Sequence, residues 1–262
     1  MNTIAIPFVK ASACGNDFLI IDGMYAPADL NLFSRRICDR HNGIGADGVE
    51  WLFPAQDADI RARLINADGS DAEISGNGTR CVAASLCSES PRGQIKIRTG
   101  AGIRTCTLTA HCDMTFEFEM EMGEPQVGDE FSIKVAFGEA GGIPVSMGNP
   151  HFVVFVNEFG VGWQGDAAEI GKHHDFKSGT NVEFVRVRDT ENIEARFFER
   201  GVGETQSSGT GSCASAVAAI FAKRARSPVR VHAPGGTQTV RWENQVFLRG
   251  PAQILCRGEF FT

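Results

Sequence analysis

No apolar run in this 262-residue chain approaches the roughly 20 residues that a membrane-spanning helix needs. The early stretch IAIPFV has no positive charge before it and is broken by Pro7. The Ala11-Ser12-Ala13 that follows therefore reads poorly as a signal-cleavage site, and a cytoplasmic location is expected. A basic stripe is also missing. The net charge is -7 and the isoelectric point about 5.4, which argues against nucleic acid as the main partner. None of the eight cysteines forms a C-x-x-C pair, so neither a zinc nor a redox template is present. They read as reduced thiols, several of them buried. Cys106, His111, Cys112 and Asp113 match no standard metal spacing, and His173-His174-Asp175 reads as a solvated loop.

Three catalytic signatures are absent as well. Neither Ser75 nor Ser208 has a glycine two residues earlier, as a serine hydrolase elbow requires. No Gly-Lys-Ser/Thr run closes a phosphate loop. Gly201-Val202-Gly203 lacks the third glycine of a dinucleotide fingerprint.

What is present is a repeat. Ser75-Gly76-Asn77-Gly78-Thr79-Arg80-Cys81 opens the run VAASL, and Ser208-Gly209-Thr210-Gly211-Ser212-Cys213 opens ASAVAAIFA. Each is a Ser-Gly-x-Gly turn leading into a small-residue helix. A glycine-rich turn at a helix start presents backbone N–H groups at the positive end of the helix dipole, which suits a carboxylate or phosphate. Each serine is also a good N-cap.

Around these helices the chain is mostly strand-like. Strands are predicted at 4–10, 18–22, 48–53, 60–66, 94–98, 102–109 and 115–120. The second half repeats the style at 131–137, 142–146, 152–157, 182–188, 192–198, 229–232, 237–242 and 245–249. Helices are predicted at 30–40, after a possible Asp29 cap, and at 76–88 and 209–224. The last two are apolar nearly all round and should be buried. With 42% hydrophobic residues the chain can fill such cores. The expected fold is α/β (α+β): two halves, each a strand-rich curved sheet around a central helix. The glycine- and proline-bearing segment 122–130 is the expected boundary.

Several polar clusters sit in glycine-rich company: Gly15-Asn16-Asp17-Phe18, the run from His41 to Asp47, Asn66-Ala67-Asp68-Gly69-Ser70, Met147-Gly148-Asn149-Pro150-His151, and the run from Glu199 to Thr205. Singly, each reads as turn chemistry. Together, and in order, GNDF, RHNGIGAD, NADGS, SGNGTRC, SMGNPH, NVEF, ERGVGET and SGTGSC resemble the diaminopimelate epimerases and, more broadly, the cofactor-independent amino-acid racemases and epimerases. The motifs run from residue 15 to 213, and the strand pattern extends the match to almost the whole chain.

The resemblance implies two pseudo-symmetric domains, 1–121 with a C-terminal strand near 251–262, and 122–250, with a diamino diacid held in the cleft between them. It implies that Gly76, Asn77, Gly209 and Thr210 hold the α-carboxylate. Asn16, Asn66, Asn149, Asn181, Glu199 and Arg200 fall on positions that grip the substrate, with Asn66, Asn181, Glu199 and Arg200 on the distal end. It implies no pyridoxal phosphate, no metal and no other cofactor, and it suggests a homodimer. The α-carbon is inverted by two residues, one on each face, at Ser75 and Ser208. His151 is expected near Ser75, and Glu199 near Ser208.

The family places cysteine at both acid/base positions, and this chain places serine. A helix N-terminus can bring a thiol into the neutral range. It cannot do that for a hydroxyl, which acts as a base only when a neighbour takes its proton. Loss of one general base costs about 10²–10⁴ in rate. Three readings follow: an engineered pair of exchanges, a natural enzyme with hydroxyl-based or altered chemistry (a one-sided dehydration included), or an amino-acid-binding protein that kept the cleft and lost catalysis. Cys81 and Cys213, one to two helical turns further on, are expected to point into the core.

Overall fold

The computed structural model describes residues 4–262, so the first three residues of the expected N-terminal domain lie outside the described residues. The chain divides into two compact units, Met1–Met120 with Gly250–Thr262, and Glu121–Arg249.

The first unit contains β1 (Ala5–Ala13), β2 (Asn16–Asp22), α1 (Leu30–Cys38), β3 (Gly48–Phe53), β4 (Ile60–Asn66), β5 (Asp71–Ala72), α2 (Gly76–Glu89), β6 (Gln94–Thr99), β7 (Gly102–Cys112) and most of β8 (Thr115–Gly123). The order β2, β3, β4, β6 alternates parallel, antiparallel and parallel. Helix α2 packs against β1, β2, β4, β6 and β7, so the sheet wraps around it. Helix α1 lies on β3 and β4. Its Phe33 and Ile37 share a core with Val49 and Trp51, and Trp51 donates its indole N–H to the buried Ser34 hydroxyl at 2.9 Å.

The second unit contains β9 (Gln126–Val127), β10 (Phe131–Val135), β11 (Gly138–Ser146), β12 (Pro150–Phe155), α3 (Trp163–Gly171), β13 (Asn181–Val187), β14 (Asn192–Glu199), β15 (Gly203–Thr205), α4 (Gly209–Phe221), β16 (Val229–Ala233), β17 (Gly236–Trp242) and the start of β18 (Val246–Phe261). The order β12, β13, β14, β16 is again parallel, antiparallel, parallel. Helix α4 packs on β11, β12, β13, β14, β16 and β17, and α3 on β10, β13, β14 and β15. From Gly211 to Ala219 every residue of α4 is buried. Small side chains let the surrounding strands come close, and each buried methyl adds about 0.8 kcal/mol.

Strand β18 serves both units. Residues 246–249 pair with β17, and residues 253–261 with β1.

Period-two alternation decides what reaches each central helix. In β3, Val49 and Trp51 face α1, which sends Glu50 to the α2 side. In β13, Val182 and Phe184 join the α3 core, which sends Glu183 and Val185 to the α4 side, where Val185 packs.

The elements depart from expectation in a few places. Helix α3 was not expected: it starts at Gly162 in a left-handed conformation (φ 84°) with no side-chain cap, and Gly165 interrupts its pattern. Each unit therefore has an outer helix as well as a central one. The central helices end at Glu89 and Phe221 rather than 88 and 224, and α1 stops at Cys38 rather than 40. Two-residue strands such as β5 and β9 are too short to show a period.

Candidate active site

Both serines cap their helices in the same way. Ser75 and Ser208 have extended backbones, and each hydroxyl oxygen accepts from the N–H three residues on, of Gly78 and of Gly211, both at 3.1 Å. The N–H groups of Gly76, Gly209 and Thr210 lie in the first turns, where a helix supplies no carbonyl four residues back. A Cβ added at Gly76 would meet nothing within 4 Å, so this helix start is open to an incoming group.

A buried glutamate stands at each start. A Cβ added at Gly78 would lie 2.2 Å from a Glu50 carboxylate oxygen and 3.3 Å from the Ser75 Cβ. A Cβ added at Gly211 would lie 3.0 Å from a Glu183 carboxylate oxygen and 3.0 Å from the Ser208 Cβ. Glu50 is 3% exposed and Glu183 0%. Each is the third residue of its strand, in the matching segments Val49-Glu50-Trp51 and Val182-Glu183-Phe184.

Their partners differ. In the second unit, Glu183 Oε1 lies 2.7 Å from His151 Nδ1. The other ring nitrogen, Nε2, lies 3.0 Å from Asn149 Oδ1, and Asn149 passes its amide N–H to Thr210 Oγ1 at 3.4 Å. With Nε2 donating to Asn149, one proton is shared between Nδ1 and Glu183. Glu183 Oε2 is buried with no hydrogen bond. Burial raises the Glu183 carboxyl above its ordinary range, His151 pulls it back down, and the charge of Glu199 on β14 raises it further.

In the first unit the residue matching His151 is Phe18: Glu50 pairs with Ile20 as Glu183 pairs with Val153, two residues further on in each strand. Glu50 therefore has no histidine. Burial alone pushes its carboxyl up to about 8, with no cation to offset it. A wholly buried cation of this unit, Arg80, lies on α2. It donates to Asn77 Oδ1 at 2.5 Å, and Asn77 reaches Asn16 Oδ1 at 3.5 Å. Asn16 donates to Asp47 at 2.5 Å, and Arg40 ties Asp17 and Asp47 together at 2.8 and 2.7 Å. The hydrogen bonds and neighbouring cations hold Asp17 below its usual range against the effect of burial. The runs GNDF and RHNGIGAD thus lock one another.

The remaining expected residues take these positions. Asn66 ends β4 and donates to Ser70 Oγ at 3.0 Å. Asn181 begins β13 with both ends of its amide engaged, donating to Pro150 O at 2.8 Å and accepting from Arg200 N at 2.9 Å. Arg200 donates to Ser178 O at 2.9 Å, and Glu199 ends β14 half-buried. Cys81 and Cys213 are fully buried, as expected, and burial drives the Cys81 thiol pKa far up. All eight cysteines are free thiols, six of them buried. Among the described residues, His173, His174 and Asp175 alone gather metal-type ligand atoms, within 4.8 Å of one another. Glu50, Glu183 and Arg80 were missed from sequence, although the shared Val-Glu-aromatic step inside two apolar strands would have flagged the glutamates.

A sheet wrapped around a capped, small-residue helix, built twice, defines the fold class of the amino-acid racemases and epimerases. The chain superposes on a hydroxyproline epimerase from Agrobacterium vitis with bound trans-4-OH-L-proline at a TM-score of 0.73 and 17% identity, covering 100% of this chain and 92% of that one. It superposes on a PhzF-family phenazine biosynthesis protein from Bacillus anthracis at 0.75 and 15% identity, covering 99% of each. At such identity the likeness is one of fold. Sequence is more specific: the model of the diaminopimelate epimerase family matches residues 8–128 and 143–255. The diaminopimelate epimerase of Desulfitobacterium hafniense is 36% identical over 272 residues, covering 95% of this chain and 96% of the relative. That of Moorella thermoacetica is 35% identical over 274 residues, covering 97% and 98%. The chain belongs to the diaminopimelate epimerase family.

Proposed function

We propose that the protein is a diaminopimelate epimerase, an isomerase that inverts one α-carbon of LL-diaminopimelate to give the meso form, in lysine and peptidoglycan precursor synthesis. The observation that carries this reading is the pair of serine-capped helix starts within a chain that matches the family along nearly its whole length. The first-turn N–H groups at Gly76, Asn77, Gly209 and Thr210 take the α-carboxylate, and the helix dipoles favour the charge that develops there. Ser75 and Ser208 stand for the two faces of the α-carbon. Asn16 and Asn149, at matching places in the two units, orient the substrate. Asn66, Asn181, Glu199 and Arg200 take the distal amino-acid end. His151 and Glu199 tune the charge around the proton-transfer positions. The small-molecule substrate is the main partner. A cytoplasmic homodimer suits the free thiols and the family.

The test is incubation of LL-diaminopimelate with the purified protein, followed by chromatographic separation of the stereoisomers. Appearance of the meso form supports the reading. Saturable binding with no meso form after days would replace it with an amino-acid-binding protein on the same scaffold.

A further inference from the structure

Glu50 lies outside the family motifs and Glu183 inside NVEF, yet neither has a role in the reading above, and each stands at the helix start that a serine caps. We propose that Glu50 and Glu183 are the proton acceptors behind Ser75 and Ser208, so that each unit carries a serine–glutamate pair in place of a lone thiol. This rests on the epimerase reading and supplies what the serines lack.

Three observations carry it. Each glutamate is buried and reaches the same spot relative to its serine, beside the second glycine of the turn. A Cβ at either glycine would crowd the carboxylate, so both turns keep room for it. Both glutamates occupy the same place in the same strand of a repeated topology. Core packing alone would favour an apolar side chain there, because a buried carboxyl without full hydrogen bonding costs stability. Glu183 keeps one buried oxygen without a partner.

The proton inventory closes. The substrate Cα–H bond breaks and its proton goes to Ser208 Oγ, whose own hydroxyl proton passes to Glu183. The electron pair left on Cα is held next to the α-carboxylate. On the opposite face Ser75 gives its hydroxyl proton to Cα, and the Glu50 carboxyl proton replaces it. Glu183 gains one proton, Glu50 loses one, and exchange with water resets the pair. The Gly78 and Gly211 N–H groups that cap the serines stabilise each oxygen as it becomes anionic.

The asymmetry of the pairs sets the direction. Glu50, without a cation, holds its proton at pH 7 and starts as the donor. Glu183 shares a proton with His151 and starts as the acceptor. The charge of Glu50 acts on Cys81 of α2, where Arg80 acts as well, and the charges acting on Glu183 are those of His151 on β12 and Glu199 on β14. Each glutamate acts through its serine and does not touch the substrate.

The experiment compares Glu50→Gln and Glu183→Gln with the wild type, and repeats both changes in a Ser75→Cys/Ser208→Cys background. LL-diaminopimelate turnover is followed from pH 6 to 9.5. In the serine enzyme each glutamine variant should lower kcat about 10²-fold or more while KM moves little. The wild-type kcat should fall as pH rises through about 8, where Glu50 loses its proton, and Glu50→Gln should erase that limb. In the cysteine background the same glutamine changes should cost less than about tenfold, because a thiol needs no acceptor. Retained activity there also shows that the variants fold. Wild-type kcat and an unchanged pH profile in the glutamine variants would overturn the proposal. An equal loss in both backgrounds would make the glutamates structural only. An inactive wild type with an active cysteine variant would refute the glutamate pairs and keep the epimerase scaffold. Inactivity of both would refute the epimerase reading and the pairs with it.

Discussion

The two units repeat one plan, and they differ most beside their buried glutamates. Glu183 is met by His151, which is itself held by Asn149. Glu50 has Phe18 at the corresponding place and no counter-charge. The unit without a histidine instead carries Arg80, fully buried and turned toward Asn77 and Pro251. Duplication fixes a scaffold and two helix starts, while the residues between strand and helix are free to diverge, here into a histidine-paired carboxylate in one unit and a carboxyl without a counter-charge in the other.

Restoring the thiols should break the comparison most strongly. Ser75→Cys/Ser208→Cys should raise kcat for diaminopimelate by about 10²–10⁴, since a thiol at a helix N-terminus ionises near neutral pH. Single exchanges should fall between, and the two effects should not add. Steady-state kinetics on the four proteins checks this.

Next comes the pH dependence of stability. The folded Glu50 carboxyl lies near 8 against an ordinary value of 4.5. Between those values the unfolded chain has released a proton that the folded chain keeps. Stability should therefore fall as pH rises through this window and level off above about 8. Glu50→Gln should remove that slope, on the order of 5 kcal/mol across the full window. Urea unfolding at pH 5 and pH 9 measures it.

His151→Phe copies the first unit into the second. It strips Glu183 and Asn149 of their partner and should cost about 1–3 kcal/mol at neutral pH. It should also add a second alkaline loss, because Glu183 then stands as Glu50 does. The same urea series reads both. The smallest contrast is between Gly78→Ala and Gly211→Ala. Added methyls would meet Glu50 at 2.2 Å in one case, and Phe197 at 2.8 Å and Glu183 at 3.0 Å in the other. Both should destabilise by about 1–3 kcal/mol, Gly78→Ala more, despite the roughly 1 kcal/mol that alanine adds to a helix interior. Thermal unfolding ranks them.

The sequence carried the helix starts well, because Ser-Gly-x-Gly before a small-residue run has few other physical uses. Strand alternation at residues 115–120 was equally clear: Phe116, Phe118 and Met120 are buried between half-buried Glu117 and Glu119. The glutamate pair stayed hidden for the opposite reason. Glu50 and Glu183 lie in strands apolar on both faces, where period two gives no polar side to expect, and only the helix placed against each strand makes them part of a site. Asn181 adds a contact that its motif did not carry: its amide spans the Pro150 and Arg200 backbones, across two loops, which no local pattern announces. Helix α3 was masked by its own glycines.

The central claim is that hydroxyl-bearing half-sites move protons on both faces of one α-carbon. Wild-type protein and LL-diaminopimelate in D₂O, followed by NMR through the first turnovers, test it most directly. Meso product carrying deuterium at the inverted carbon, with protium retained in the remaining substrate, is the predicted result. Bound substrate that keeps its α-proton and its configuration over days would contradict it.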